Sequence, residues 1–149
     1  MEEKKGQEYY AQFDIKRYAH WTLRVNENQA YLGRAIIWLK REGDMQRLSS
    51  LTEEERKELW DKVLPEYEAA LQELFKPDHM NYTWLGNLFH EHKGHGHMHL
   101  IPRYVSPREF EGMVFTDENW GHHYKIGEKK DVPLEVVFAM RDAFRKHIR

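Results

Sequence analysis

Polar and apolar residues alternate strictly from His20 to Val25, which predicts a strand with Trp21, Leu23 and Val25 on one face and His20, Thr22, Arg24 and Asn26 on the other. Asn26-Glu27-Asn28-Gln29 reads as a turn punctuated by Gly33, and Arg34 to Leu39 is dense enough in β-branched and aromatic residues for a buried strand, so the two pair as a hairpin. The period then changes. Thr52 with Glu55 three residues later forms a capping box. Behind it Leu59, Trp60, Val63, Leu64, Tyr67, Leu71, Leu74 and Phe75 recur at helical spacing until Lys76-Pro77-Asp78 ends the run. Pro65 lies inside this helix and predicts a kink, or two shorter helices meeting at Leu64. His79–Leu85 and His97–Ile101 read as strands, the first ending at Gly86-Asn87 and the second at Pro102, with a loop between them. Ser106 to Tyr124 is rich in turn signals and scattered aromatics, an irregular segment pinned by buried rings. Asp131 and Pro133 open a last helix that packs through Leu134, Val137, Phe138, Phe144 and Ile148.

These elements fit one domain over residues 9–149, preceded by a charged, aperiodic stretch over residues 1–8 that predicts a frayed, flexible N-terminus. A net charge of −2 argues against electrostatic nucleic-acid binding. No apolar run is longer than that from Ala35 to Leu39, far too short to span a membrane, and the charged start lacks the apolar core of a signal peptide, so the expected location is cytoplasmic. With no cysteine there is no disulfide, thiolate metal site or Cys nucleophile, which turns attention to the 10 histidines.

His95, His97 and His99 alternate with Gly96, Met98 and Leu100, placing three imidazoles on one face of a strand. A lone half-buried histidine is usually a satisfied core residue, but three at period two are rarely a packing solution. A metal site is one reading. On an extended strand His95 and His99 stand roughly 13 Å apart, so at most two neighbours could share an ion and a further ligand would have to come from His90, His92 or a carboxylate. Catalysis on phosphorus is the other: one neutral imidazole attacks, a second holds the phosphate or protonates the leaving group, and a third partner fixes the tautomer.

The run His95-Gly96-His97-Met98-His99-Leu100-Ile101-Pro102-Arg103 resembles the signature segment of the histidine triad family of nucleotide hydrolases and transferases, in its diadenosine polyphosphate hydrolase-like branch. The resemblance extends through Asn26 to Ile37, Leu51 to Glu55 and Leu85-Gly86-Asn87. It implies an α+β fold with an antiparallel sheet of about five strands, a long helix packed on it and a C-terminal helix, commonly in a homodimer. It further implies that His97 attacks the α-phosphate of a nucleotide compound and is transiently nucleotidylated, that His99 assists the leaving group, that His95 orients the site and that Asn26 holds the ribose. Dinucleoside polyphosphates or nucleoside phosphoramidates are the implied substrates. No cofactor is required for the nucleophile, and a divalent cation would enter only with a polyphosphate.

Three departures from the pattern matter. Arg34 stands where many members carry a fourth histidine, either as a phosphate clamp or as a surface residue. Gly96 replaces a bulkier apolar residue, and glycine in a strand marks a bulge or a close backbone approach. The loop Leu88 to Gly94 differs as well: a short-loop alignment makes Asn87 a substrate-contacting amide, whereas a straight count puts Trp84 there. His90 and His92 read as solvated loop residues or part of a substrate lid, and Arg103 as a phosphate-neutralising or solvated residue. Two other functions stay open: a nucleotide-binding regulatory module with little turnover, and a metal-dependent enzyme using the histidine cluster.

Overall fold

The computed structural model describes residues 5–43, 47–86 and 94–149. The strand pattern yields a five-stranded antiparallel sheet in the order β1-β2-β3-β5-β4, from β1 (Asp14–Arg17), β2 (Trp21–Val25), β3 (Ala35–Glu42), β4 (His79–Trp84) and β5 (His95–Arg103). The hairpin expected from the alternation forms, with Leu23 opposite Ile37 and Arg24 opposite Ile36. Trp21, Leu23, Val25, Ala35, Ile37, Leu39, Met98 and Leu100 are all buried in the main core with residues of the helices. Their neighbours in sequence, Thr22, Arg24, Ile36, Trp38, His95, His97 and His99, therefore share the opposite face.

The long helix begins where the capping box predicts: Glu55 N–H donates to Thr52 Oγ1 at 3.1 Å and Thr52 N–H to Glu55 Oε1 at 2.8 Å. It runs as α2 (Glu53–Glu58), a π-helical turn (Leu59–Val63) and α3 (Leu64–Leu74), with Pro65 in the first turn of α3. Widening to a π turn accommodates the proline and puts Leu59 and Leu64, five residues apart, on the buried face. Trp60 is thereby carried outward and is 68 % exposed, against the sequence expectation that it joins the apolar stripe. The last helix, α4 (Leu134–His147), buries Val136, Val137, Met140 and Phe144, while Leu134 at its open first turn is exposed.

Residues 7 and 8 begin a short helix α1 (Gln7–Ala11), in which Tyr9 packs edge-on against Phe13 and donates to Glu27 Oε1 at 2.7 Å. The segment expected to be irregular contains a small hairpin, β6 (Arg108–Phe110) with β7 (Met113–Phe115). Among the described residues no helix is long and apolar enough to cross a membrane.

Candidate functional site

The loop from Asn26 to Arg34 is fixed before it reaches the site. Gln29, fully buried, donates to the carbonyls of Asn26 at 2.7 Å and Arg34 at 2.8 Å, and accepts from Gly33 N–H at 2.8 Å. Gly33 has φ +86° and lies so close to α3 that a Cβ there would come within 2.6 Å of Leu71 Cδ1, so a side chain at this position would be strained. Tyr67 and Tyr104 hydroxyls donate to the carbonyls of Gly33 and Leu32 at 2.8 and 2.6 Å. The loop ahead of β3 is thus anchored to α3 through Tyr67 and to the segment after β5 through Tyr104.

On the other face the three histidines of the signature stand in one row along β5. His97 lies opposite Trp38 and His99 opposite Ile36 on β3, and Thr83 on β4 flanks His99 from the other side. The His97 ring is 4 % exposed, stacked on Trp38 at 5.5 Å and edge-on to His99 at 5.2 Å. Its Nδ1 faces the carbonyl oxygen of His95 at 3.4 Å. A carbonyl only accepts, so the hydrogen belongs on Nδ1 and the lone pair on Nε2, the tautomer a nucleophile needs. His95 is held the same way, Nδ1 donating to the Leu39 carbonyl at 2.9 Å, with Nε2 at 3.4 Å from exposed Glu42. Gly96 falls where the β3–β5 register shifts between Trp38 and Glu42, the irregularity that a strand glycine announces. Among the described residues no three His, Asp or Glu side chains converge as a metal-binding set.

Asn26 is half-buried at the end of β2, its N–H donating to the Arg34 carbonyl at 3.0 Å and its Oδ1 accepting from Asn28 N–H at 2.8 Å. Its amide hydrogens and a second oxygen lone pair remain chemically suited to hydroxyl groups. Arg34 is 5 % exposed, which removes the surface reading of this residue. Burial pulls its pKa below the ordinary guanidinium value, opposed by neighbouring Tyr124 and Tyr31. Asn87, His90 and His92 lie outside the described residues.

Arg103 takes a different part from the one its sequence position suggested. Its guanidinium donates to both carboxylate oxygens of Asp117 at 2.6 and 3.2 Å, to Asn81 Oδ1 at 2.8 Å, and to the carbonyls of His122 and Asn119 at 3.0 and 2.8 Å. All five of its N–H groups are engaged, so it staples the segment after β7 to the sheet and is not available to neutralise phosphate. Asp117 lies 14 residues on in sequence, with no local spacing to announce it. Trp38 was the residue sequence reasoning missed at the site itself, although period two from Arg34 through Ile36 puts it on the triad face.

No protein-family model matches this chain, and no curated protein matches it in sequence. Solved structures do. A histidine triad protein from Bradyrhizobium japonicum superposes with a TM-score of 0.67 at 20% identity, over 98% of this chain and 98% of that one. The fold is that of the histidine triad proteins. A second such protein, from Sinorhizobium meliloti, gives a TM-score of 0.69 at 17% identity, covering 96% of both chains. The diadenosine triphosphate hydrolase of Plasmodium falciparum gives 0.59 at 14% identity, over 92% of this chain and 76% of that one. The histidine triad fold thus holds over nearly the whole length at low sequence identity, and the row His95, His97, His99 on its central strand β5 is the feature from which the chemistry has to be argued.

Proposed function

We propose that the protein is a nucleotide hydrolase or transferase that acts on compounds in which a nucleoside monophosphate is bonded through its α-phosphorus to a leaving group. The observation that carries this reading is the buried His97 ring, whose Nδ1 faces the His95 carbonyl so that the lone pair belongs to Nε2, with the His99 ring edge-on beside it. His97 Nε2 forms the N–P bond as the bond from phosphorus to the leaving group breaks, and His99 supplies the proton that the leaving group takes. Water then attacks the same phosphorus and gives its proton to His99, the N–P bond breaks and His97 returns with release of the nucleoside monophosphate. Asn26 holds the ribose, and His95 keeps β5 and the His97 ring in place. Dinucleoside polyphosphates and nucleoside phosphoramidates are the substrates this chemistry suits, and the histidine triad resemblance together with the likeness to a diadenosine triphosphate hydrolase supports them.

The test is steady-state turnover of diadenosine tetraphosphate and of an adenosine phosphoramidate by the wild type and by His97→Ala. The wild type should release AMP from at least one of them, and the variant should lose about 10⁴-fold or more in kcat while keeping its fold. Turnover that survives the substitution contradicts the nucleophile assignment, and tight AMP binding without turnover of either compound points to a binding module.

A further inference from the structure

Among the described residues, Arg34 is a buried cation with two nitrogens that no protein group meets. Its Nε and Nη1 are inaccessible and have no hydrogen-bond partner among the described residues. Placing a guanidinium in the interior without a counter-charge is strongly unfavourable, and a group that cannot shed its proton has no way to escape that cost. Tyr124 and Tyr31, whose charges act on this guanidinium, are themselves fixed. Tyr31 Oη accepts from Asn119 Nδ2 at 2.8 Å and Lys125 N–H at 2.9 Å, and Tyr124 donates to Thr83 Oγ1 at 2.8 Å.

The sheet register says where this cation stands. Arg34 shares the triad face with Ile36 and Trp38, hydrogen-bonds through its backbone to Asn26 on one side, and is the diagonal neighbour of His99, which lies opposite Ile36. Such diagonal pairs are about 7–8 Å apart, within reach of an arginine. Thr83, the partner of Tyr124, sits opposite the same His99. By this register the cation stands beside Ile36 and His99 on the triad face, between Asn26, the residue assigned to the ribose, and the imidazoles assigned to the phosphorus.

We infer that Arg34 is a pre-built anion receptor that binds a non-bridging oxygen of the phosphoryl group His97 attacks. This inference rests on the nucleotide reading above and sharpens its substrate class. The attacked phosphorus must carry anionic oxygen, so a nucleoside lacking the phosphate, or a neutral phosphotriester, gains nothing from the receptor. It also divides the labour on the face, with a permanent charge on the non-bridging oxygen and His99 left to the leaving group.

The experiment is calorimetric titration of AMP, adenosine and pyrophosphate into the wild type, Arg34→Met and Arg34→Lys, with thermal unfolding of each protein free of ligand. Losing charge-assisted hydrogen bonds to phosphate should weaken AMP by about 10- to 100-fold in Arg34→Met, with adenosine affinity unchanged and Arg34→Lys in between. Because the methionine removes an uncompensated buried charge, its Tm should equal or exceed that of the wild type. AMP affinity within twofold of wild type in Arg34→Met overturns the inference. So does a lowered Tm with AMP and adenosine lost in parallel, the mark of a merely structural arginine. Failure of the nucleotide reading looks different: the wild type then binds neither AMP nor adenosine but still takes up pyrophosphate through Arg34. A wild type that binds none of the three overturns both.

Discussion

Arg34 and Arg103 lie on the same face of the same sheet, each 5 % exposed, one just before β3 and the other at the end of β5. Arg103 is met by a fully buried carboxylate, a side-chain amide and two carbonyls, whereas Arg34 has two buried nitrogens without a partner among the described residues. A buried charge whose every donor is answered from within fixes structure, here the segment from Asp117 to His122. A buried charge left unanswered beside a row of imidazoles is held for something that arrives from outside. On the function proposed above, the triad face divides into a closed end that is part of the fold and a reactive region that a ligand completes.

The comparison breaks most visibly at Arg103. Replacing it with Met leaves Asp117 buried without its cation, and chemical denaturation should report a loss of about 3–5 kcal/mol, in contrast to the unchanged or raised stability expected of Arg34→Met. Comparable losses in both variants would mean that the two arginines do the same job. A smaller effect belongs to Gly33→Ala, in which a positive φ and a Cβ directed at Leu71 should together cost about 1–3 kcal/mol. Because Gly33 sets the position of the next residue, AMP affinity should fall with stability in that variant, and an intact affinity would argue that Arg34 does not depend on the turn.

The smallest effect comes from an arginine of intermediate character. Arg41 is 40 % exposed and reaches Glu55, whose carboxyl is lowered to about 2 chiefly by the Arg41 hydrogen bonds. A folded-state value below the ordinary carboxyl range contributes stability that is complete above about pH 4.5 and is lost as pH falls toward 2. Arg41→Met should cost about 1 kcal/mol or less at neutral pH and flatten that acid limb in urea titrations run from pH 5 to 2. An unchanged acid limb would show that the capping box alone holds Glu55 ionised.

Much of this was legible in the residue order because its causes are local. Period two in His20–Val25 and His95–His99 assigns faces, and Thr52 with Glu55 marks a helix start from four residues. The strand boundaries moved where tertiary pairing extended them: β5 runs from His95 through Pro102 to Arg103, and the proline is accommodated because β3 pairing ends at Leu100. What the order could not carry were contacts between distant residues. Asp117 is chosen as the partner of Arg103 by a chain reversal through β6 and β7, two three-residue strands too short to register as a pattern. Trp60 looked buried because Leu59 to Leu64 was counted at 3.6 residues per turn, and the π turn beside Pro65 changes the count. Arg34 was the hardest to read, since a buried and a surface arginine are identical in sequence until their neighbours are known.

The account stands on His97 being presented through Nε2 by a strand that holds Nδ1. Intact-mass spectrometry after a brief quench of the reaction with diadenosine tetraphosphate, or with an adenosine phosphoramidate, followed by peptide mapping, tests this most directly. One AMP per chain, mapped to His97 and absent from His97→Ala, is the result the geometry predicts. An adduct on His95 or His99, or AMP released by the wild type with no adduct trapped at any quench time, would contradict it.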